Sequence, residues 1–432
     1  MVKFGFRLVP VALAVLLAAS AAEAGGVAIG ENGRQLGNAN SGGAALAEDA
    51  TTIWWNPAGL TRIRRHQVAG AAYGVFFDSI SDVQGSNVSG IPTGGDTKVN
   101  GGGEATVVPA LFVAYSLSDR WKIGLGINTP FALPADFGSE WTGRYYADEG
   151  QLAVVNMNLA AAYRINRCWS VGGGLNFQYA TTSLSNAVDL GTITNGGVGP
   201  PTQADGHVDL SGESFGLGFN IGVLYEPNNC WRFGAHYRSR VKHTFEGEAD
   251  FTTPEDLSPL FTDTDSTVDL DLPDSVSVSA YHQLTRKWGL MADITWTNWS
   301  LWDQADVDFD NPAQPDQAIE FDWSNTWRFG IGAIYQLSRR WSFRAGLAWD
   351  MTPIPSKTRT PLIQEGDTTW IGMGVGYRLN RCWQIDMTYL FAFSNARIRQ
   401  SVDNPNNIPR GNLNGKSDNT FHALGFQVTY DF

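Results

Sequence analysis

The side chains best suited to catalysis or metal binding are few and scattered in this chain of 432 residues. The six histidines lie at positions 66, 207, 236, 243, 282 and 422, and none belongs to a motif that pairs a nucleophile with an oriented imidazole. His236 and His243 share no metal-ligand spacing with a third ligand. Cys168, Cys230 and Cys382 each precede a Trp, and three cysteines give no disulfide framework. We therefore predict no catalytic residue, no metal site and no cofactor.

The start of the chain and its composition indicate an exported protein without membrane helices. Lys3 and Arg7, an apolar stretch and the small residues up to Ala24 predict a cleaved signal peptide over residues 1–24. No later segment offers about 18 consecutive apolar residues, the length that a membrane helix needs. The formal net charge of -13 and the lack of a basic stripe argue against a nucleic-acid partner.

One pattern, an aromatic ring followed by Trp at the sixth position, recurs along the chain. Its six copies are Tyr115 to Trp121, Tyr163 to Trp169, Tyr225 to Trp231, His282 to Trp288, Tyr335 to Trp341 and Tyr377 to Trp383. From Gln384 to Phe393 polar and apolar residues alternate, which is the period of a strand with one wet and one oily face. The copies predict six hairpins whose turns carry an aromatic girdle. A soluble β-sandwich, the alternative fold, has no reason to repeat Trp at one turn position.

Two further strands, near Gln67 to Phe77 and near Thr420 to Phe432, bring the expected number to about 14. An even number closes an antiparallel sheet and leaves no unpaired edge in lipid. We therefore predict an all-β fold, a closed antiparallel transmembrane β-barrel over residues 66–432, with short turns at one end and long loops at the other. The aromatic C-terminus is similar to the sorting signal of outer-membrane barrels.

Residues 25–65 do not alternate and are rich in small residues, with a turn at Asn56-Pro57. A barrel of about 14 strands is wide enough to admit water. A folded segment inside the lumen would block this leak, so we predict an N-terminal hatch, or plug. Without the plug, the same barrel would be an open diffusion porin for polar solutes, which is the first alternative. A barrel enzyme such as an outer-membrane phospholipase is the second.

At this point the sequence resembles the FadL family of outer-membrane transporters for long-chain fatty acids, which includes relatives that take up hydrocarbons. The resemblance covers the mature chain, and its strongest local match is Asn56-Pro57-Ala58; the segments Asp350 to Pro353 and Arg359 to Ile363 also fit. It implies capture of an apolar ligand on outer loops, transfer to a lumen pocket, hatch movement, and sideways exit at an inward kink of the third strand. Aromatic or aliphatic hydrocarbons are the alternative cargo.

The resemblance also implies roles for particular residues. Asn56, Pro57 and Ala58 would brace the hatch against the kinked strand, and Gly25, Val27 and Ile29 would belong to its mobile tip. Asn128, Thr129 and Pro130 would end the third strand at the kink, unless the strand simply stops there. Phe131, Leu133, Phe137 and Trp141 would form an apolar groove on the following outer loop, unless they pack against a neighbouring loop. Arg144, Arg344 and Arg378 are candidate partners for a carboxylate, with a polar lumen lining as the simpler role.

The expected protein is thus a bacterial outer-membrane transporter. We expect it to be a monomer, and we do not expect it to be an enzyme. Its expected partners are a hydrophobic small molecule, outer-membrane lipid and lipopolysaccharide, and the barrel-assembly machinery through Phe432. Acidic residues of one loop region could recruit divalent cations or be a solvated surface: Asp250, Asp256, Asp263, Asp265, Asp269 and Asp271.

Overall fold

The computed structural model describes residues 33–102, 105–194, 205–253, 261–314 and 316–432. Gly25, Val27 and Ile29 of the predicted hatch tip, and the predicted signal peptide, lie outside these residues. The strands within them are β1 (Gln67–Ser86), β2 (Lys98–Asn100), β3 (Thr106–Ser116), β4 (Trp121–Asp136), β5 (Glu149–Arg164), β6 (Trp169–Asp189), β7 (Asp205–Tyr225), β8 (Trp231–Arg238), β9 (Thr244–Thr252), β10 (Thr264–Asp269), β11 (Ser275–Gln283), β12 (Trp288–Thr297), β13 (Gln304–Phe309), β14 (Gln317–Glu320), β15 (Thr326–Gln336), β16 (Trp341–Asp350), β17 (Thr368–Arg378), β18 (Trp383–Gln400) and β19 (Asn412–Asp431).

Antiparallel pairing closes the described strands into one barrel. The wall runs β1, β3 to β8, β11, β12 and β15 to β19, which makes 14 strands, and β19 pairs with β1 from Gln67↔Asp431 to Ser86↔Asn412. The predicted closed barrel is therefore confirmed. The short strands β2, β9, β10, β13 and β14 extend the sheet at the long-loop end.

The six repeats form six tight hairpins, and each Trp begins a strand. Alternation divides the two faces as the period of two requires: Asp386 is fully buried towards the lumen, whereas its neighbour Met387 is 59% exposed on the outer face. Outward aromatic and aliphatic side chains give the barrel its lipid-facing band.

The aromatic girdle consists of paired side chains whose rings are stacked or tilted against each other. Each Trp lies directly opposite the ring of the next hairpin rather than that of its own, for example Trp169 against Tyr225 with ring centroids 4.4 Å apart. The other pairs of this kind are Trp121 with Tyr163, Trp231 with His282, Trp288 with Tyr335, Trp341 with Tyr377 and Trp383 with Tyr430. His66 stacks on Tyr115 and contacts Phe432, which stacks on Tyr430, so the ring closes across the junction of first and last strands.

The described helices are all short. They span Gln35–Asn38, Gly43–Leu46, Thr52–Trp55, Pro57–Arg62, Leu190–Thr194, Trp299–Leu301, Pro361–Ile363 and Pro405–Asn407. Among the described residues no helix is long and apolar enough to cross a membrane. The first four helices precede β1 and pack against the inner faces of the wall strands, where they fill the lumen as a hatch.

Candidate functional site

The hatch lies directly on the wall because the wall presents glycine where the hatch backbone passes. A Cβ atom on Gly234 of β8 would come within 1.9 Å of the Ala44 carbonyl oxygen, and one on Gly346 of β16 within 2.0 Å of the Asn38 carbonyl oxygen. Any larger residue at these two positions would push the hatch inward.

Asn56 fastens the middle of the hatch. Its fully buried side chain donates from Nδ2 to the carbonyls of Ala44 (2.7 Å) and Val223 (3.0 Å), and its Oδ1 accepts the amide of Ala58 (3.1 Å). One side chain therefore joins two turns of the hatch to β7, and each buried polar atom in this arrangement has a partner.

The predicted contact of Asn56, Pro57 and Ala58 with the third strand is wrong in its partner. Asn56 is bonded to β7, and Pro57 and Ala58 lie over Gly172 of β6, where a Cβ atom would come within 2.5 Å of both residues. The third wall strand is β4, and the hatch reaches it through the apolar side chains of Ile53 and Leu60 against Gly124. The polar side chain of Asn56 needs carbonyl groups as hydrogen-bond partners. The apolar side chains of Ile53 and Leu60 instead pack where the strand presents glycine.

A buried ion network holds the beginning of the hatch. Arg34 pairs with Asp49 of the hatch at 2.6 Å and with Asp386 of β18 at 2.7 Å, and Gln427 accepts the Arg34 amide and donates to Asp49. Burial raises the pKa of the Asp49 carboxyl, but Arg34 and the hydrogen bonds of Thr51 outweigh burial and leave the pKa below its usual value.

Arg344, a predicted carboxylate partner, is used by the hatch. Its guanidinium contacts Glu48 at 2.6 Å and donates to the side-chain oxygen of Asn38 at 3.1 Å. Arg144 is paired with Asp205 at 2.9 Å in the outer loops and donates to the Trp141 and Thr93 carbonyls. Both guanidiniums are therefore held by residues of the chain itself, and their role as partners of a ligand carboxylate stays a prediction.

Arg378, the third candidate, lies at the short-turn end below the hatch. It is exposed and donates to the Gln384 side chain at 3.4 Å. Strand alternation places the side chains of Arg344 and Arg378 on the inner face of the barrel. Alternation gives the face of a strand on which a side chain lies, but not its height along the barrel axis.

Asn128, Thr129 and Pro130 lie at a break in the pairing of β4 with β5. Asn128 faces Asn156 and Phe131 faces Val154, so Thr129 and Pro130 together oppose the single residue Val155. The extra residue is a β-bulge, and Pro130 has no amide to give to a ladder. The strand does not end here as predicted, since β4 continues to Asp136.

The same place is a gap in the wall. Pairing between β3 and β4 stops at Leu111↔Ile127 in the described part of the chain, and above it β3 pairs only with β1 and β4 only with β5. A bridge between Gly102 and Ala135 joins the two sides again further up. Pro109 stands on the β3 side of the gap, which is an edge position that tolerates proline.

A cavity of about 220 Å³ lies above the hatch and reaches the bulge. Its hatch-side lining is Trp54, Trp55 and neighbouring residues, and its wall at the gap is Pro130 and Phe131. Trp299 and Trp323 line its upper part and pack with Trp302, with ring centroids 4.5 to 5.3 Å apart. Serine and threonine hydroxyls from β11, β12 and β15 and five charged side chains complete the lining, which therefore combines tryptophan rings with many polar groups: Arg238, Asp293, Arg328, Asp350 and Glu365 are the charged residues.

A second, smaller pocket of about 50 Å³ lies nearer the outer loops. Phe77, Phe137, Leu362, Phe393 and Phe421 are among its lining residues, and none of the described residues that line it is Arg, Lys or His. Glu365 and Trp370 line both this pocket and the larger cavity, so the two spaces adjoin there.

Glu365 is the carboxyl between the two spaces. It is half-buried, and burial followed by the nearby Asp350 raises the pKa of Glu365 to about 7, against the opposing effects of Thr368 and Arg359. Its charge is therefore switchable near neutral pH.

The four residues of the predicted outer-loop groove are divided among different environments. Phe131 lines the deep cavity and contacts Trp299 at 6.5 Å between ring centroids. Phe137 lines the outer pocket and stacks on Trp141, which is 1% exposed and donates its indole N–H to the Ala147 carbonyl. Trp141 is thus a packing residue. Phe131 and Leu133 belong to β4 rather than to a loop, and the Leu133 side chain lies outside the described part of the structure.

Several cavity residues were missed from the sequence. Arg238 lies over the Trp54 ring and donates to its carbonyl at 2.8 Å, and Arg328 pairs with Asp293 at 3.0 Å. The sequence alternation places both arginine side chains on the inner face of the barrel. Only the position of the hatch shows that they face an enclosed space.

The acidic loop residues give no sign of a cation site. Asp271 pairs with Arg240 at 3.2 Å, and Asp269 accepts the Thr244 hydroxyl. Asp256 lies outside the described residues, and within those that are described no group of three or more potential ligands could hold a metal ion.

A closed barrel with a filled lower lumen, a tryptophan-rich cavity above the filling and a gap in the wall beside that cavity defines an outer-membrane transport barrel. The model of the family described as "Outer membrane protein transport protein (OMPP1/FadL/TodX)" matches residues 15–432. This chain belongs to that family, and the predicted family resemblance is confirmed. Outer-membrane location follows from the same match and from the barrel.

Among similar proteins, the long-chain fatty acid transport protein of Escherichia coli K12 is 28% identical over 406 residues, covering 87% of this chain and 89% of that protein. Outer membrane protein P1 of Haemophilus influenzae is 27% identical over 426 residues, covering 90% of each chain. The fold matches a Pseudomonas aeruginosa FadL homologue with TM-score 0.87 and 21% identity over 94% of this chain and 100% of that one. It also matches the Pseudomonas putida toluene transporter TodX with TM-score 0.72 and 17% identity over 93% and 99%.

Proposed function

We propose that this protein moves hydrophobic molecules, long-chain fatty acids in the first place, inward across the outer membrane and releases them sideways through the wall. The observation that carries the proposal is that one tryptophan-rich cavity is floored by the hatch and bordered by the gap between β3 and β4. The curated relatives named as long-chain fatty acid transport proteins support the cargo class. Hydrocarbons remain the alternative cargo, since solved toluene transporters share the fold.

The route has three stages. A ligand is captured in the outer pocket beside Phe137, passes Glu365 and Trp370, and enters the cavity above Trp54. It then leaves between Pro109 and Pro130 into the lipid. Lateral exit keeps the alkyl chain away from water, whose contact costs about 0.8 kcal/mol for each exposed CH₂.

The hatch, in this proposal, is the moving part. Residues 25–65 form it after removal of residues 1–24 as a signal peptide, and the tip with Gly25, Val27 and Ile29 shifts when a ligand arrives. Asn56, Pro57 and Ala58 hold the rest of the hatch against β6 and β7. If deletion of residues 25–60 left single-channel conductance unchanged, the barrel would be an open porin.

The barrel of residues 66–432 carries no chemistry in this proposal. It works as a monomer surrounded by lipid and lipopolysaccharide, and Phe432 presents the chain to the barrel-assembly machinery. Oligomeric state is checked by sedimentation in detergent, and a stable trimer would contradict it.

The decisive test straightens β4 at the bulge, so that its other edge can pair with β3 across the gap. Deletion of Thr129 combined with Pro130→Val removes the bulge residue, restores the one-to-one pairing with Val155 and supplies a ladder donor. We expect uptake of radiolabelled oleate by cells to fall to the level of cells without the protein, while binding of oleate to the purified barrel persists. Pro405→Ala, at an outer-loop helix, is the control and should transport normally. Normal uptake through the closed variant would refute lateral release.

A further inference from the structure

Two adjoining cavities below the hatch form a pocket that the transport route does not use. They measure about 330 and 600 Å³ and lie at the short-turn end, which faces the periplasm in outer-membrane barrels. The cationic residues that line the smaller cavity are Arg34, Arg62, Arg232, Arg339, Arg340, Arg344 and Arg378. The larger cavity is lined by four of these, Arg34, Arg339, Arg340 and Arg378, and by Arg381. Glu48 is the one carboxylate among the described residues that line the smaller cavity. We call this space the periplasmic arginine pocket.

Three of these arginines are neutralised by the chain itself. Arg34 is paired with Asp49 and Asp386, and Arg344 is paired with Glu48. Arg62 is paired with Glu226. These pairs hold the hatch in place. Asp431, which also lines the larger cavity, accepts a hydrogen bond from the Gln67 side chain at 2.7 Å.

The other guanidiniums have no such partner. Within the described residues, no carboxylate lies within 4.0 Å of Arg232, Arg339, Arg340 or Arg378. Arg232 is 8% exposed, so its charge is buried, and its guanidinium lies over the Tyr281 ring at 3.9 Å from the centroid. A ring face compensates a buried cation only in part, and an uncompensated buried charge is costly. The concentration of positive charge is the more unusual because the whole chain has a net charge of -13.

Guanidinium groups that converge from several elements bind oxyanions with paired hydrogen bonds. The planar fork of Arg matches phosphate and carboxylate, and several forks favour an anion with more than one negative charge. Arg232 comes from β8, Arg339 and Arg340 from the turn before β16, and Arg378 from the end of β17. We propose that the periplasmic arginine pocket binds a phosphate-type oxyanion carrying two or more negative charges, either soluble or as the head group of a lipid. The proposal does not depend on the cargo or on lateral release.

The test uses pyrophosphate and the whole protein in nanodiscs of phosphatidylcholine. We expect saturable binding by calorimetry, and we expect pyrophosphate to protect Arg339 and Arg340 from modification by phenylglyoxal, read by mass spectrometry. The matched control is Arg167, which lies in the equivalent turn before β6 and lines neither cavity. It should be modified at the same rate with and without pyrophosphate. This measurement uses the wild-type protein, so it does not depend on the folding of a variant.

Variants then give the size of the effect. Replacing Arg339 and Arg340 by Gln should weaken pyrophosphate binding about tenfold or more, since each charge-assisted hydrogen bond lost contributes about this factor. Arg167→Gln should leave the affinity unchanged. Absence of saturable binding, or equal protection of Arg167, would overturn the proposal and leave only unspecific attraction to a basic rim.

A second arm identifies the source of the anion. Nanodiscs that contain cardiolipin, whose head group has two phosphates and carries two negative charges, should compete with pyrophosphate if the natural ligand is a lipid head group. Unchanged pyrophosphate affinity in those nanodiscs would identify a soluble phosphate compound. If an acidic peptide bound and pyrophosphate did not, the phosphate assignment would be wrong.

Discussion

Asn56→Ala should loosen the hatch without damaging the barrel. The substitution removes the two hydrogen bonds donated to Ala44 and Val223 and the one accepted from Ala58, in a side chain with no exposure. At about 1 kcal/mol for each bond, the hatch loses about 3 kcal/mol of fastening, and more if the stranded carbonyls find no water. Two of the three bonds lie within the hatch, so this loss applies to local opening of the hatch around Asn56, whose population should rise about a hundredfold.

Hydrogen exchange measures this population directly. Amides of residues 43–56 should exchange about a hundredfold faster in the variant, while wall strands keep their protection. Planar-bilayer recordings should show brief openings that the wild type lacks. Asn395→Ala, which removes an exposed hydrogen bond to Asp418 far from the hatch, is the matched control. Exchange within about twofold of the wild type would refute the reasoning that this side chain fastens the hatch.

Two further predictions concern charge and close approach. Because burial and Asp350 raise the pKa of Glu365 to about 7, its carboxyl is neutral below that pH and negative above it. For a ligand anion bound roughly 12 Å from this carboxyl, a like charge costs about 1.4 kcal/mol at an effective dielectric constant of 20. Binding of a long-chain alkyl sulfonate, which stays ionised, should therefore weaken about fivefold between pH 6 and 8. Glu365→Gln should flatten the profile, and a neutral fatty alcohol should show none; a flat wild-type profile would contradict the role of Glu365. Gly346→Val places a Cβ atom where the Asn38 carbonyl oxygen lies 2.0 Å away, so channel recordings should show a leak, whereas Gly70→Val, with nothing within 4 Å, should stay closed. If recordings of the Gly346→Val variant showed no leak, the hatch would be able to move away from residue 346 without opening a channel.

The barrel could be predicted from the sequence because its determinants are local. Alternation and the Trp spacing are written within ten residues of each turn, and they gave the hairpins, the faces and the number of strands. The stacking of Trp169 on Tyr225 could not be predicted in this way, because it depends on the register between neighbouring hairpins.

The site was predicted less well because its determinants are long-range. The sequence pointed to a break near Pro130, but the bulge is defined by the partner Val155 and the gap by where β3 stops pairing. Arg144 and Arg344 looked available because their partners Asp205 and Glu48 are distant in sequence. Strand alternation predicts that a side chain faces the lumen. Whether that side chain contacts a ligand or the hatch depends on where the hatch lies in the lumen.

The aromatic girdle at the short-turn end has one link that Phe432 supplies. The Phe432 amide donates to the His66 carbonyl at 2.9 Å, and its ring bridges His66 and Tyr430. Removal of the Phe432 ring therefore breaks the girdle at the junction of the first and last strands, while all the other strand pairs can remain intact. The girdle thus depends at this one place on contacts between the two ends of the barrel sheet rather than within a hairpin.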